Sequence, residues 1–229
     1  MKIGGLQRVS LIDYPGKISA TVFTQGCNSL CPYCHNPDLV DPARYGPPVP
    51  EDQVISFLNR RRGKLEAVTI TGGEPTLQKN LIRFLETLKE IGYPTKVDTN
   101  GSKPDVLETL ICKRLVDYLA MDIKGPLQRY AQIASTEVDT SKIKRSIDLI
   151  TTSGIEHEFR TTVVRSQIGL KDLLSIAELI DKSSLYVLQP FIPTKTLNGS
   201  FLSESSYSPI EFSALRERLE KEITRVVIR

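Results

Sequence analysis

The chain has 229 residues, of which 40% are hydrophobic and 25% are charged, and its formal net charge is +3 at pH 7. This length suits one well-filled core and is short for two, so we expect a single domain over residues 1–229. The charge is too mild to indicate nucleic-acid binding, and no apolar run approaches the roughly 18 residues of a membrane span. We therefore expect a soluble, cytoplasmic protein with no nucleic-acid or membrane partner. The one compact basic cluster, Arg60-Arg61-Arg62 with Lys64, lies at a predicted helix end, where it satisfies terminal carbonyls more readily than phosphates.

Strands and helices alternate along most of the chain. Residues 1–17 combine glycines, a proline and short β-prone pieces, which predict a lead-in hairpin. β-prone runs that alternate with the helices predict six strands, at Ile18–Thr24, Ala67–Thr71, Thr95–Asp98, Val116–Asp122, Glu158–Val164 and Leu185–Gln189. Apolar residues at helical spacing predict helices at Glu51–Arg62, Leu77–Ile91, Pro104–Lys113, Leu170–Asp181 and Pro209–Ile223, and helical material up to Thr152 that is broken near Ser135–Asp139.

The repeated strand-helix unit indicates an α/β protein with a parallel sheet over residues 18–192, followed by a C-terminal loop, helix and short apolar tail over residues 193–229. A doubly wound sheet and a barrel-like closure both satisfy this pattern. In either architecture the carboxyl ends of the strands meet at one edge. Every unusual motif of the chain follows a strand and therefore belongs at that edge.

Three of the four cysteines lie in the loop after the first predicted strand. Cys27, Cys31 and Cys34 have the spacing Cys-x3-Cys-x2-Cys, and soft thiolate ligands favour zinc or an iron–sulfur cluster. Three ligands leave one iron of a [4Fe–4S] cubane free to bind another molecule, which a cluster that performs chemistry needs. A structural zinc ion needs a fourth ligand, for which His35 is poorly spaced and Cys112 is distant, and it stays an alternative.

Polar motifs follow the other strands. Gly72-Gly73-Glu74-Pro75 ends the second strand, Asp98-Thr99-Asn100-Gly101 the third and Asp122-Ile123-Lys124 the fourth. Arg160 lies within the fifth strand, and an arginine that faces a barrel interior needs an anion, either a ligand or a buried acid. The glycine pair also fits an ordinary turn, and each acid also fits a helix N-cap.

The motifs resemble those of a known superfamily. The three-cysteine motif with Tyr33, followed by Gly72-Gly73-Glu74-Pro75, resembles the radical S-adenosylmethionine (radical SAM) superfamily. The stretches Leu11-Ile12-Asp13-Tyr14-Pro15-Gly16-Lys17 and Cys34-His35-Asn36-Pro37 resemble the activating enzymes of glycyl-radical enzymes, nearest to the activators of anaerobic ribonucleotide reductase. The resemblance implies a partial (β/α)6 barrel, open on one side, that holds a [4Fe–4S] cluster and S-adenosylmethionine.

The resemblance also implies which residues bind the cofactors. Cys27, Cys31 and Cys34 would hold the cluster. Gly72 and Gly73 would admit the methionine amino end. The residues implied in S-adenosylmethionine binding are Tyr33, Gly72, Gly73, Glu74, Asp98, Thr99, Asn100, Asp122, Lys124, Arg160 and Gln189.

Several of these roles stay open. Arg160 fits the methionine carboxylate, and Lys124 either pairs with that carboxylate or is held by Asp98 or Asp122. A monovalent cation between the carboxylates is a further candidate, because close like charges repel one another. Tyr33 and Gln189, with Phe191, fit either the adenine side or the core.

The reaction implied by the resemblance is radical formation on a partner protein. Flavodoxin or ferredoxin would reduce the cluster, S-adenosylmethionine would be cleaved, and the 5′-deoxyadenosyl radical would take hydrogen from a glycine of a glycyl-radical enzyme. Only Cys112, interpreted as a buried thiol, lies outside the cluster loop. This argues against activators with a cysteine-rich insert and leaves those of ribonucleotide reductase and pyruvate formate-lyase.

The polar loop 194–208 is a candidate gate. The alternatives are a radical SAM enzyme acting on a small molecule, such as a deazapurine-forming synthase, and a structural metal-binding interaction module.

Overall fold

The computed structural model describes residues 1–229, and its eight strands form one sheet in chain order. β1 is antiparallel to β2, and each later strand pairs in parallel with the one before it. β1 and β8 do not pair, so the barrel is open on one side. The strands are β1 Ile3–Ser10, β2 Ser19–Thr24, β3 Ala67–Gly72, β4 Thr95–Thr99, β5 Tyr118–Asp122, β6 Glu156–Val163, β7 Leu185–Pro190 and β8 Arg225–Ile228.

Every connection between parallel strands contains a helix. In α3, for example, Leu81, Leu85 and Leu88 form a buried stripe, and Gly92 ends the helix in the left-handed region at φ 98°. The stripes of the helices and the apolar face of the sheet form one continuous core. The α-helices are α1 Pro37–Val40, α2 Glu51–Arg60, α3 Leu81–Ile91, α4 Pro104–Cys112, α5 Tyr130–Ala134, α6 Thr140–Thr152, α7 Leu170–Ala177 and α8 Pro209–Leu219.

The predicted partial barrel is confirmed, and the six predicted strands are β2–β7. Residues 1–17 are not a hairpin of their own, because β1 is one strand that pairs with β2. The predicted tail is the parallel strand β8, since its backbone pairs with β7 and Val226 is buried. None of the helices combines the length and the apolar character that a membrane span requires.

The interpretation of Cys112 as a buried thiol is wrong. Cys112 is the last residue of α4 and is exposed. The helix buries Leu107 and Leu110 instead, and a residue two positions after Leu110 lies on another face of the helix.

Strand alternation separates the core from a polar interior. Val97 and Phe159 are buried in the apolar core, so Lys96, Asp98 and Arg160, their alternating neighbours in β4 and β6, face the opposite side of the sheet. The loop between β1 and β2 reaches this polar side, where Asp13 accepts a hydrogen bond of 2.7 Å from the Thr21 hydroxyl. Charged side chains are thereby collected inside the partial barrel.

Candidate active site

A cavity of about 570 Å³ lies where the parallel strands end. All of the predicted cluster and cofactor residues line it. They are Cys27, Cys31, Tyr33, Cys34, Gly72, Gly73, Glu74, Asp98, Thr99, Asn100, Asp122, Lys124, Arg160 and Gln189. Residues separated by more than one hundred positions in the chain therefore meet around one space.

The three cysteines of the cluster loop are free thiols on the wall of this cavity. Burial raises the pKa of Cys27 to about 12 and also raises the pKa of Cys31 and Cys34. No three histidine, cysteine or acidic side chains converge closely enough to hold a single metal ion. In a cubane each cysteine binds a different iron, so the thiols need to surround one space and not to meet at one point.

Asn100 fastens the cluster loop to the end of β4. Its amide donates to the side-chain Oδ1 of Asn28 at 2.9 Å and to the Ser29 hydroxyl at 3.3 Å, and it lies 3.9 Å from the Cys27 sulfur. The Ser29 backbone N–H also donates to that sulfur, at 3.4 Å. The side chain predicted to bind S-adenosylmethionine thus has contacts with the loop of the cluster ligands.

The glycine pair allows two loops to touch. A Cβ on Gly73 would lie 2.1 Å from the Gly26 carbonyl oxygen, and one on Gly72 would lie 2.5 Å from the Thr24 nitrogen. The backbone N–H of Glu74 donates to the same Gly26 oxygen at 2.7 Å. No other residue fits between the turn and the cluster loop.

We expect Gly73→Ala to lower the free energy of unfolding by about 1–3 kcal/mol, because the added methyl group forces the two loops apart. Urea denaturation would measure the loss. Gly199→Ala is the matched control, since a Cβ there meets nothing within 4 Å. Equal stability of the two variants would contradict the close approach of the turn to Gly26.

Glu74 is buried and fully engaged within the protein. Its carboxylate accepts from the Thr99 hydroxyl at 2.7 Å, from the Asn100 backbone N–H at 2.7 Å and from both the hydroxyl and the N–H of Thr76. Burial raises its pKa, against the effect of these hydrogen bonds. Glu74 therefore joins the turn after β3 to the end of β4, and both of its carboxylate oxygens accept hydrogen bonds within the protein.

An ion-pair network crosses the barrel interior. The Arg160 guanidinium donates to Asp122 at 2.8 Å and to Asp98 at 3.1 Å. Lys124 donates to the other oxygen of Asp122 at 3.0 Å, and Lys96 donates to Asp98 at 2.5 Å. Of the two kinds of partner left open for Arg160 and Lys124, a ligand carboxylate or an acid of the protein, the structure shows the acids Asp98 and Asp122.

Comparison with known proteins identifies the fold and its motifs. The sequence profile of the radical SAM superfamily matches residues 21–180. The chain belongs to the radical SAM superfamily. A relative from Methanocaldococcus jannaschii, provisionally named as a glycyl-radical enzyme activating enzyme, is 36% identical over 233 aligned residues, which cover 99% of this chain and 95% of the relative.

Two further relatives cover less. The 7-carboxy-7-deazaguanine synthase of Thermococcus kodakarensis is 25% identical over 77% of this chain and 76% of its own length. The pyruvate formate-lyase-activating enzyme of Clostridium pasteurianum is 34% identical over 54% of this chain, and the match spans about half (52%) of that enzyme.

A solved structure supports the fold alone. Streptococcus suis SuiB bound to S-adenosylmethionine superposes with a TM-score of 0.68 at 14% identity, over 90% of this chain and 48% of SuiB. This chain therefore spans about half of SuiB, and the two share the fold of that part.

The residues present fit the cofactors of the radical SAM superfamily, a [4Fe–4S] cluster and S-adenosylmethionine. Three thiols line the cavity, which matches a cubane with one iron left for another ligand. The Tyr33 hydroxyl is buried beside Cys31 without a hydrogen-bond partner of normal geometry. The glycine pair and a wall of fixed charges complete a space suited to a zwitterionic amino-acid moiety.

Lys96, Lys124 and Arg160 pair with the carboxylates of Asp98 and Asp122. Lys96, whose side chain is 2% exposed, is a partner that the sequence did not indicate. A monovalent cation beside these carboxylates and a substrate carboxylate stays a prediction.

We expect the network to make the stability of the cluster-free protein depend on pH in acid. Burial raises the pKa of Asp98 and Asp122, but Arg160 with the neighbouring lysines outweighs burial and leaves both pKa values lowered. A carboxylate whose pKa is lowered in the folded state stabilises the fold at pH values above its ordinary pKa of about 3.9. This stabilisation is lost as the pH falls from there towards the folded-state pKa. Urea denaturation should show the free energy of unfolding declining below about pH 4. Asp122→Asn should flatten this decline, and profiles of equal slope would contradict the prediction.

The structure adds residues that sequence reasoning missed. Ile12 and Asp13 line the catalytic cavity. A neighbouring pocket of about 240 Å³ shares them and also contains Lys96, Glu158 and Arg229. Glu158 is buried and accepts from Arg229 at 2.5 Å and from the Tyr118 hydroxyl at 3.1 Å. Lys96 and Asp98 are two positions apart, as are Glu158 and Arg160, and this spacing places each pair on one face of its strand. No local sequence pattern identifies Arg229 as a residue of this pocket.

The candidate gate contacts the cluster loop. The Asn198 backbone N–H donates to the Pro32 carbonyl oxygen at 3.0 Å, and the Phe201 and Tyr33 rings lie 6.5 Å apart. On the same side, His35 stacks on Phe191 at 5.5 Å. Loop 194–208 therefore lies against the cofactor loop, and its opening stays a prediction.

Proposed function

We propose that this chain is a radical SAM activase that reductively cleaves S-adenosylmethionine and generates a glycyl radical on a partner enzyme. The observation that carries the proposal is the 36% identity to a provisionally named glycyl-radical enzyme activating enzyme, which extends over 99% of this chain. The cavity lined by all the predicted cofactor residues supports it.

The proposed roles follow from the contacts. Cys27, Cys31 and Cys34 would hold the cluster, and the backbone at Gly73 would admit the methionine amino end. When bound, the two cofactors supply a one-electron cleavage that produces a hydrogen-abstracting radical. Asp98 and Asp122 hold Arg160 in place before any ligand arrives, so the cationic group that would meet a carboxylate is preorganised.

No protein acid or base is needed for hydrogen abstraction from glycine, since flanking amides stabilise the product. The chain therefore acts by orienting its ligands and excluding water and oxygen. Tyr33 and Gln189 line the same space and would face the nucleoside part.

We propose anaerobic ribonucleotide reductase as the partner and flavodoxin or ferredoxin as the electron donor, in the cytoplasm. Support for the partner comes from the flanking motifs at residues 11–17 and 34–37 and from the absence of cysteines other than Cys112 beyond the cluster loop. Pyruvate formate-lyase is the alternative partner, supported by the match to its activating enzyme from C. pasteurianum.

The test is electron paramagnetic resonance on the reconstituted chain with reductant, S-adenosylmethionine and either candidate enzyme. A glycyl doublet with the reductase supports the proposal, and a doublet only with the lyase moves the assignment to the second partner. Cleavage of S-adenosylmethionine without a doublet on either partner would overturn the activase assignment.

A small-molecule substrate is the second candidate. It is favoured by the match to 7-carboxy-7-deazaguanine synthase and by the 240 Å³ pocket beside the catalytic cavity. Stimulation of cofactor cleavage by a deazapurine precursor, with no response to either protein partner, would select it. The structural metal-binding module is not supported, because the chain belongs to an enzyme superfamily and has a cavity for its cofactors.

A further inference from the structure

A second groove lies between β1 and α2 and shares no lining residue with the catalytic cavity. Its volume is about 720 Å³. The apolar side chains of Leu6, Val49 and Phe57 line it, together with Arg8, Arg60 and Arg61. It therefore combines an apolar surface with a concentration of positive charge.

One wall of the groove is an edge strand. β1 pairs with β2 on one side only, and the single bridge on its other side joins Ile3 to Val49. Beyond that bridge no other element pairs with the outer edge of β1. An edge strand of this kind is a template for another extended segment.

The arginines of the groove have no anionic partner. Arg8, Arg60 and Arg61 take part in no ion pair, although other arginines of the chain do, and Asp52 is the one acid among the lining residues. The Nε atom of Arg61 is buried without a hydrogen-bond partner. The Arg8 guanidinium lies 5.9 Å from the centre of the Phe57 ring, which presents its charge along the groove.

These arginines also do not cap α2. The last carbonyls of the helix accept from backbone N–H groups and from the Tyr93 hydroxyl, and no hydrogen bond joins an arginine side chain of residues 60–62 to a carbonyl. The interpretation of the basic cluster as a helix cap is therefore wrong, and its charge is left for another ligand.

We propose that this groove binds an extended acidic segment of a partner protein, which adds a strand to the free edge of β1. The edge supplies backbone hydrogen bonds, Phe57 and Leu6 supply an apolar floor, and the arginines select carboxylates. A peptide is favoured over a nucleic acid because the free edge of β1 presents backbone groups that pair with another extended peptide strand. That the partner is the glycyl-radical enzyme rests on the proposed function. Since Ile3 at the start of β1 pairs with Thr24, the last residue of β2 before the cluster loop, a segment bound along β1 runs towards the edge of the barrel at which the catalytic cavity lies.

The first test uses a short fluorescein-labelled peptide of alternating glutamate and threonine, with fluorescence anisotropy as the readout. We expect binding that weakens with salt and falls about tenfold in the double variant Arg8→Ala/Arg60→Ala. The matched control, Arg83→Ala/Arg218→Ala, removes two exposed arginines elsewhere and should bind normally. N-methylation of alternate peptide amides should also abolish binding.

Several results would overturn the proposal. They are equal binding of a lysine–threonine peptide, unchanged affinity in the Arg8→Ala/Arg60→Ala variant, and binding of a single-stranded oligonucleotide in preference to the acidic peptide. A circular dichroism melt shows whether the variant is folded, and the N-methylated peptide tests strand addition without changing the protein.

The second test separates this proposal from the proposed function. With the partner that gives a glycyl doublet, the Arg8→Ala/Arg60→Ala variant should need about tenfold more partner for half-maximal radical formation, at an unchanged maximum. An unchanged partner requirement overturns the docking groove and leaves the activase assignment intact. Failure of the wild-type chain to form a doublet overturns the activase assignment, while the peptide data still decide the groove.

Discussion

Alanine at Cys27, Cys31 or Cys34 is expected to abolish cluster assembly. After anaerobic reconstitution the wild-type chain should hold about four irons, and each variant should hold fewer than about one, because a cubane with only two protein thiolates lacks its third anchor. Without the cluster, cleavage of S-adenosylmethionine should fall to background, since the cluster supplies the chemistry. Iron analysis and the visible absorption of the cluster would measure the loss.

Cys112→Ala is the matched control for these variants. Cys112 is the remaining cysteine of the chain and is exposed at the end of α4. It should keep full iron content and full activity. Iron loss in Cys112→Ala, or normal iron content in Cys31→Ala, would contradict the three-cysteine assignment.

The Arg160→Met variant is expected to lose up to about 3 kcal/mol of folding free energy, because it leaves the partly buried carboxylates of Asp98 and Asp122 with less positive charge between them. The Arg160 side chain is 11% exposed, so solvent cannot replace the lost guanidinium. Affinity for S-adenosylmethionine should fall as well, since the same group faces the cavity. Urea denaturation and equilibrium dialysis would measure the two effects separately.

Arg165→Met provides the comparison. Arg165 also pairs with a carboxylate, that of Glu211, but both side chains are exposed. Its loss should change stability far less, because water screens exposed pairs. The double variant Arg160→Met/Asp122→Asn should recover part of the loss. Similar stabilities of Arg160→Met and Arg165→Met would show that the interior network does not stabilise the barrel.

The sequence predicted β2–β7 because each is a short run that contains apolar or β-branched residues. It also predicted that the motifs meet at one edge, since parallel strands end together, and these residues do line one cavity. The edges of the sheet were harder to predict. β8 is four residues long, and its assignment depends on pairing with β7, which no local pattern of Val226–Ile228 specifies.

Long-range pairing also explains what was missed inside the cavity. The charged residues of β4, β5 and β6 were predicted as site residues, but their ion-pair partners were not. The sequence of a strand does not specify its register with the neighbouring strand. The role of Glu74 in ligand binding stays a prediction, and its hydrogen bonds with Thr99 and Asn100 are long-range contacts that the sequence did not indicate. Cys112 was placed in the core by its apolar neighbours, although its position on α4 faces outward.

The most direct test of this account is Mössbauer spectroscopy of the chain reconstituted with isotopically enriched iron, before and after addition of S-adenosylmethionine. If three thiolates leave one iron available, about one iron in four should change its signal on addition and the other three should not. A spectrum in which no iron responds, as expected if a fourth protein ligand already binds the fourth iron, would contradict the account.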